Sequence, residues 1–281
     1  MPYINTIWYS TMPTKYSKVK YWDQIADNLA KRYEFGEPLA EQYRRVHFNL
    51  IERWVDLKSI RRILKTDLFA EGLDPSRAFL WDVMKNNSDV VGIDISPGIT
   101  SRAKTVTAKY APISPAKYLA CDVRHLPFAS NTFDLIISDS TLDHFHNENE
   151  IIKALFELSR VLKPGGTLVI TMDNKSNITE PLFRLWIFFR LSYFFIGKTY
   201  SVNELKTALS EVGLRVTDTT AIIHNPRFFA RRLISLLHKG NPSRFNRFLR
   251  RVLIALDRLE GWKTKYLTAQ FIAAKAIKPS N

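Results

Sequence analysis

Residues 131–177 contain two apolar strand patterns joined by a helix pattern. Phe133–Ser138 and Leu168–Met172 are short runs of β-forming residues, typical of strands buried on both faces. Between them Ile151, Leu155, Leu158 and Leu162 recur at helical spacing, and the helix is predicted to end at the turn Lys163-Pro164-Gly165-Gly166. Strands joined in this way form a right-handed parallel crossover, so the stretch predicts a βαβ unit within an α/β sheet.

The same alternation extends toward the N-terminus. Three more strands are predicted there: Ile60–Phe69 (whose spacing also fits a continuing helix), Asp89–Ile95 and Lys117–Ala120. Helices are predicted over Arg77–Asn86, after a start signal in Asp74-Pro75-Ser76, and over 97–110. These three strands and Phe133–Ser138, alternating with helices, predict a doubly wound, mostly parallel sheet.

Both ends of the chain add elements to this sheet. Tyr21–Leu57 predicts two N-terminal helices broken at Gly36-Glu37-Pro38, and Leu182–Ile196, apolar nearly all round, predicts a buried helix or a lid. Ser201 opens a capping box for a helix that Gly213 ends. The last two strands are predicted at Leu214–Ile223 and Thr268–Ile277. The expected organisation is 1–58 helical, 59–177 core, 178–213 apolar cap, and 214–281 completing the core domain.

The formal charge of +14 is concentrated in a basic helical insert, Arg227–Lys265, before the last strand. Its apolar residues share one predicted helical face, with the arginines largely off it: Phe245, Phe248, Leu249, Val252, Leu253 and Leu256. Such a segment suits an anionic membrane, nucleic acid or an acidic substrate, or is simply solvated. The single cysteine, Cys121, excludes an internal disulfide and indicates a reducing compartment, so we expect a cytoplasmic protein, with peripheral membrane contact as an option. No signal peptide, membrane span or metal site is expected.

Two acids end neighbouring predicted strands. Asp94 ends the second strand, where a carboxylate can accept hydrogen bonds from both hydroxyls of a ribose, or can cap the following helix. Asp122 follows the third strand, where it can accept from an adenine amino group or act as a turn residue.

Three blocks then resemble a known family: VVGIDISPGI, CDVRHLPFASNTFDLIIS and ELSRVLKPGGTLVIT. In this order they are similar to class I S-adenosylmethionine-dependent methyltransferases of the type 11 group. The resemblance implies a seven-stranded sheet with an antiparallel last strand and S-adenosyl-L-methionine as cofactor. It also implies that Asp94 binds the ribose, that Asp122 with Val123 binds the adenine, and that Ser138 to Ser140, including Asp139, lie beside the methionine part. Ile95 is a further candidate for cofactor binding.

The loop after the first strand departs from that family. The resemblance implies glycines that allow close backbone approach to the cofactor, but residues 65–72 read KTDLFAEG and keep only Gly72, at a shifted position. Asp67 and Glu71 are candidates for the cofactor's ammonium group, and Thr66 or Lys65 for its carboxylate. The alternative is a decayed cofactor site.

Residues beyond the fourth and fifth strands are candidates for chemistry. His144 is predicted as a general base oriented by Asp143 or Asp139, although these side chains equally suit a helix cap or a loop. Asp173, Asn174 and Asn177 are weaker candidates for holding an acceptor. The sequence therefore predicts methyl transfer to a small-molecule or lipid-like, amphipathic acceptor. The alternative is a non-catalytic scaffold of the same fold. A nucleic-acid acceptor is disfavoured, because Ser138-Asp139-Ser140-Thr141 lacks the proline-proline-aromatic pattern of base-flipping enzymes.

Overall fold

A seven-stranded sheet with the strand order β3-β2-β1-β4-β5-β7-β6 organises the fold. The computed structural model describes residues 15–30, 37–84, 89–110, 116–188, 196–225 and 242–280. The strands are β1 (Arg62–Thr66), β2 (Asp89–Asp94), β3 (Lys117–Ala120), β4 (Phe133–Asp139), β5 (Leu162–Asp173), β6 (Arg215–Ile222) and β7 (Phe271–Ile277). The first five are parallel, and β7 is antiparallel to both β5 and β6, so the predicted fold class is confirmed.

Helices cover both faces of this sheet. They are α1 (Lys15–Ala30), α2 (Glu37–Trp54), α3 (Phe69–Leu73), α4 (Leu80–Met84), α5 (Pro97–Tyr110), α6 (Glu148–Val161), α7 (Glu180–Phe188), α8 (Val202–Glu211), α9 (Pro242–Asp257) and α10 (Lys265–Thr268), with 3-10 turns at Leu142–His144 and Arg258–Gly261. Alternate strand residues enter two cores: Ile63 packs with α2 and α5, whereas Leu64 packs with α6 and α8. This alternation is why the central strands read as continuous apolar runs.

The junction between α6 and β5 differs from the prediction. The predicted turn, residues 163–166, lies inside β5, which already starts at Leu162. Phe133 pairs with Leu162 and Leu135 with Thr167, so the four residues bulge out of the ladder. Gly165 takes a φ of 73° there, and its N–H donates to Lys278 O at 2.8 Å. The positive φ of the glycine was predicted correctly, but it occurs in a bulge within β5 and not in a turn between α6 and β5.

Two other boundaries were also predicted wrongly. β1 stops at Thr66 instead of Phe69, because Asp67 has a φ of 70° and α3 begins two residues later. The predicted helix Arg77–Asn86 is α4, Leu80–Met84, since Asp74 ends α3 and residues 75–77 form a turn. The prediction for 85–86 lies outside the described residues. The capping box at Ser201 and the positive φ of Gly213, 77°, are confirmed.

The apolar stretch Leu182–Ile196 is not a buried helix where it is described. α7 exposes Leu182 by 55% and Leu185 by 50%. Residues 189–195 of this prediction, and 227–241 of the basic insert, lie outside the described part of the chain. No helix in the described ranges combines the length and apolarity that a membrane span requires.

Candidate cofactor cleft

A cleft opens at the carboxyl ends of β1 to β4. Its described lining is Lys18, Trp22, Thr66, Asp67, Phe69, Ile93, Asp94, Ile95, Ile99, Cys121, Asp122, Val123, Thr141, His144 and Phe145. This is the edge where open α/β sheets bind ligands. The loops after four strands and helix α1 therefore converge on one space.

Asp94 reaches this cleft from the end of β2. Its carboxylate accepts from the backbone N–H of Leu68 at 3.0 Å and of Ser96 at 2.8 Å, which ties the loops after β1 and β2 together. Burial raises the pKa of Asp94 to about 6, although these two bonds oppose the shift. The cap of α5 is Ser96, whose Oγ accepts from Ile99 N at 3.0 Å, so Asp94 does not serve as the cap residue.

Asp122 lies two residues beyond the strand partner of Asp94, since Asp94 pairs with Ala120. The carboxylate accepts from Arg124 N at 2.9 Å and from Arg124 Nη2 at 2.6 Å. Burial alone would raise the pKa of Asp122, but these bonds to Arg124 hold it below its usual range. Asp122 thus stays ionised, forms a turn and lines the cleft beside Val123.

The loop after β1 is built from side chains where the family resemblance implies glycines. Asp67 lines the cleft with a φ of 70°, and its Oδ1 accepts from Phe69 N at 2.8 Å. Aspartate tolerates this left-handed conformation because such a local bond stabilises it. Lys65 Nζ donates to Asp67 O and lies 3.1 Å from Glu71 Oε2. An inward ion pair therefore shapes the loop.

The predicted role of Glu71 at the cofactor's ammonium group stays a prediction, although the side chain faces inward. It is fully buried against Lys65 and is absent from the described lining of the cleft, as is Lys65. The remaining glycine, Gly72, serves packing: a Cβ there would lie 2.9 Å from Ile99 O, so glycine lets α3 approach α5. Thr66 does line the cleft, as predicted for a cofactor-facing residue, and its role stays a prediction.

Ser138 and Asp139, predicted beside the methionine part, also lie beneath the described cleft lining. Thr66 Oγ1 bonds Ser138 Oγ at 3.1 Å. Asp139 accepts from Tyr43 Oη and from Thr171 Oγ1, both at 2.7 Å. Burial alone would raise the pKa of Asp139, but nearby His47 and Lys65 and the Tyr43 bond hold it below its usual range.

His144 lines the cleft, whereas its predicted partner Asp143 does not. Asp143 is fully buried and accepts from Ser140 Oγ at 2.8 Å and from Asp173 N at 2.9 Å. The carboxylate of Asp143 therefore supports the loop after β4. The His144 ring packs edge-on against Trp22, with centroids 4.8 Å apart. A role for His144 in proton transfer stays a prediction.

The weaker acceptor candidates after β5 hold the C-terminal segment. Asn174 Nδ2 donates to Tyr266 O and Ala269 O, at 2.7 and 2.9 Å, and Asn177 Nδ2 donates to Ala269 O at 2.7 Å. These amides satisfy the backbone around α10, which gives them a structural role.

Helix α1 supplies two lining residues that the sequence interpretation missed, Lys18 and Trp22. Asp23 Oδ1 accepts from Gly98 N at 3.1 Å and from Ser96 Oγ, which fixes α1 at the start of α5. Lys18 Nζ bonds Glu150 Oε1 at 2.8 Å. Trp22 sits at regular helical spacing, so local pattern assigns it to ordinary core packing. Only the long-range contacts reveal the position of α1 over the cleft.

Comparisons with known proteins agree with this geometry. Residues 76–170 match a family model described as a methyltransferase domain. The chain is 26% identical over 135 residues, 48% of its length, to a ubiquinone/menaquinone biosynthesis C-methyltransferase of Haemophilus ducreyi. It is 44% identical over 129 residues, 41% of its length, to a probable tRNA methyltransferase 9B of Bos taurus. These matches span 51% and 28% of the two relatives.

Among solved structures, the [4+2]-cyclase SpnF aligns with a TM-score of 0.60 at 17% identity, covering 96% of this chain and 98% of that one. At that identity the likeness shows the fold alone. The strand order, the reversed β7 and the acid-lined cleft define a Rossmann-like fold of the methyltransferase type. With the family model that matches residues 76–170, the fold supports a class I S-adenosylmethionine-dependent methyltransferase.

Proposed function

We propose that this protein transfers a methyl group from S-adenosyl-L-methionine to a small-molecule or lipid-like acceptor. The observation that carries the proposal is the convergence of Asp94 and Asp122, from the ends of adjacent strands, on one cleft. Two carboxylates at this spacing suit the ribose hydroxyls and the adenine edge of one adenosine.

The residues present fit the cofactor. Asp94 would accept from the ribose, Asp122 and the Val123 backbone would meet the adenine, and Thr66 and Asp67 would face the amino-acid end. The bound cofactor supplies a methyl group activated by its sulfonium. Burial raises the pKa of Asp67 well above its usual range, so a contact between Asp67 and the cofactor's positive charge would require this carboxyl group to ionise on binding.

The acceptor would enter beside His144. Trp22, Phe69 and Phe145 give this part of the cleft an aromatic lining that suits an apolar acceptor. His144 would take the acceptor's proton as the methyl group is transferred. The Haemophilus ducreyi relative is named for quinone biosynthesis, which supports a lipid-like acceptor, whereas the Bos taurus relative is named for tRNA. The aromatic lining favours the first class.

Calorimetry with S-adenosylmethionine and S-adenosylhomocysteine tests cofactor binding. We expect saturable binding that Asp94→Ala abolishes. The matched control is Asp89→Ala, which removes a carboxylate from the opposite end of the same strand, where Asp89 meets Arg62 and Lys117 at the surface. A folded wild-type protein that binds neither compound would refute the proposal and favour the scaffold alternative. Normal binding by Asp94→Ala would refute the ribose assignment.

Acceptor class is tested by measuring S-adenosylhomocysteine release with alkylated phenols, amines dispersed in detergent, and tRNA. We expect turnover with an amphipathic small molecule. Turnover with tRNA alone would overturn the proposed acceptor class while leaving the methyl-transfer proposal intact.

A further inference from the structure

The outward side of α9 combines arginines with exposed apolar side chains and contains no acid. The residues of this α9 outer face, which includes the start of the following 3-10 turn, are Arg244, Arg247, Phe248, Arg251, Ile254, Ala255 and Arg258. Phe248 is 64% exposed and Ile254 48%. The prediction that Phe248 shares the packed face with Leu249 and Leu253 is therefore wrong, because Phe248 projects among the arginines.

Contacts with α2 fix this orientation. Leu249 and Leu253 are buried, and Arg250 makes a two-bond ion pair with Glu41, at 2.6 and 2.8 Å. The nearby acids also face α2: Asp257 accepts from Gln42 and Arg45, and Glu260 from Arg53, each at 2.6 Å. Because both acids are engaged on the inner side, the outer side is left with positive charge.

More apolar side chains are exposed directly after α9. Trp262 and Leu267 are both exposed. The Ile178 N–H donates to Leu267 O at 2.9 Å, which places the start of α7 beside α10. Ile178 itself is exposed, as are the α7 residues Leu182 and Leu185. The exposed side chains of Ile178 and Leu267 are therefore neighbours, and adjoining exposed apolar residues mark an interaction surface.

We propose that the α9 outer face docks this protein on an anionic lipid surface. The arginine heads complement lipid phosphates, while Phe248, Ile254 and Trp262 have the amphipathic placement of side chains that enter the headgroup boundary. Nucleic acid would satisfy the arginines and stack on Phe248 and Trp262, but it offers no apolar contact to aliphatic Ile254 and Leu267, whereas a lipid headgroup boundary accommodates both kinds of side chain. The proposal goes beyond the methyl-transfer function and does not depend on it.

Co-sedimentation of the full chain with vesicles tests the proposal. We expect binding to vesicles containing phosphatidylglycerol, little binding to pure phosphatidylcholine, and weakening with salt. Replacing Arg247, Arg251 and Arg258 together by Gln should lower the partition coefficient about a hundredfold, at roughly fivefold per arginine. The matched control replaces three exposed lysines elsewhere by Gln, Lys104 and Lys109 on α5 and Lys206 on α8, and should change binding far less.

Phe248→Ser separates docking from simple charge attraction. It leaves the net charge unchanged and should still reduce binding several-fold. Brominated phospholipids should quench fluorescence in the wild type more than in Trp262→Phe. Absence of binding to phosphatidylglycerol vesicles, equal loss in the lysine control, or an unchanged Phe248→Ser would overturn the proposal. RNA retention that needs the same arginines, without vesicle binding, would instead assign the face to nucleic acid. Circular dichroism and cofactor calorimetry on each variant show whether the fold and cleft are intact.

Discussion

The ion pair under the cofactor loop offers a sharp test of how this loop is held. Lys65 and Glu71 are 1% and 0% exposed, and their charged atoms lie 3.1 Å apart. Burial alone would lower the pKa of Lys65, but Glu71, Asp67 and Asp139 together raise it, so the lysine is charged. The pair places a full positive and a full negative charge inside the protein.

Removing one partner should cost far more than removing both. Lys65→Met strands the Glu71 carboxylate in the core, and breaking a buried pair in this way costs about 3–5 kcal/mol. The double variant Lys65→Met/Glu71→Leu replaces both charges by apolar groups of similar size. Since such replacements are often neutral, we expect the unfolding free energy of the double variant to lie within about 1.5 kcal/mol of the wild-type value.

Urea unfolding followed by circular dichroism measures these differences. Arg102→Met is the control, because its partner Asp27 is exposed and such surface pairs contribute at most about 1 kcal/mol. The double variant also loses the bond from Lys65 to Asp67 O, so its stability should recover while its affinity for S-adenosylmethionine stays low. A double variant as unstable as Lys65→Met would show that packing, not the stranded charge, is responsible.

Three further outcomes are expected at the cleft. Asparagine at position 67 tolerates positive φ and still accepts from Phe69 N, so Asp67→Asn should keep the unfolding free energy within about 0.5 kcal/mol of the wild type. Asp67→Ala loses both properties and should lower the unfolding free energy by about 1–2 kcal/mol. His144→Gln should lower kcat about 10²- to 10⁴-fold without changing cofactor affinity, and the exposed neighbour variant His146→Gln should leave kcat unchanged. The proposed ribose contact needs ionised Asp94, whose pKa is raised to about 6, so cofactor affinity should fall up to about tenfold per pH unit below 6. A similar fall in Asp94→Asn would contradict this assignment. Folding stability should depend on pH in the opposite direction, because burial favours the protonated form of Asp94. The contribution of Asp94 to stability is fully present below its unfolded pKa and is lost as pH rises through about 6.

The central strands could be predicted because both their faces are buried. β2 and β4 read as apolar runs, whereas β3 is a largely exposed edge strand. Asp94 at the end of β2 and Asp122 just beyond β3 both line the cleft. The strand order does not follow from local patterns, and here it was implied by the resemblance of three blocks to a family. Boundaries failed where one residue changes the backbone direction, as at Asp67.

Contacts between distant parts of the chain explain the site residues that were missed or misplaced. Asp139 ends β4, as expected, but its carboxylate accepts a hydrogen bond from Tyr43, 96 residues earlier, and does not appear in the described lining of the cleft. Phe248 has the spacing of a core residue, yet contacts between α9 and α2 turn it outward. A periodic pattern predicts the apolar face of a helix, but it does not predict which residues of a wide face pack against another element.

The altered loop after β1 gives this methyltransferase fold a different way of holding its shape. A glycine loop fits a cofactor by backbone freedom, whereas here Lys65, Asp67 and Glu71 hold the turn through one ion pair and two hydrogen bonds. These side chains are interdependent, because Glu71→Gly alone would strand the charge of Lys65. The fold also hosts a cyclase, so the sheet by itself does not determine the reaction. The shape of this loop, and whether its Asp67 carboxylate meets a cationic ligand, is therefore what decides the cofactor chemistry of the cleft.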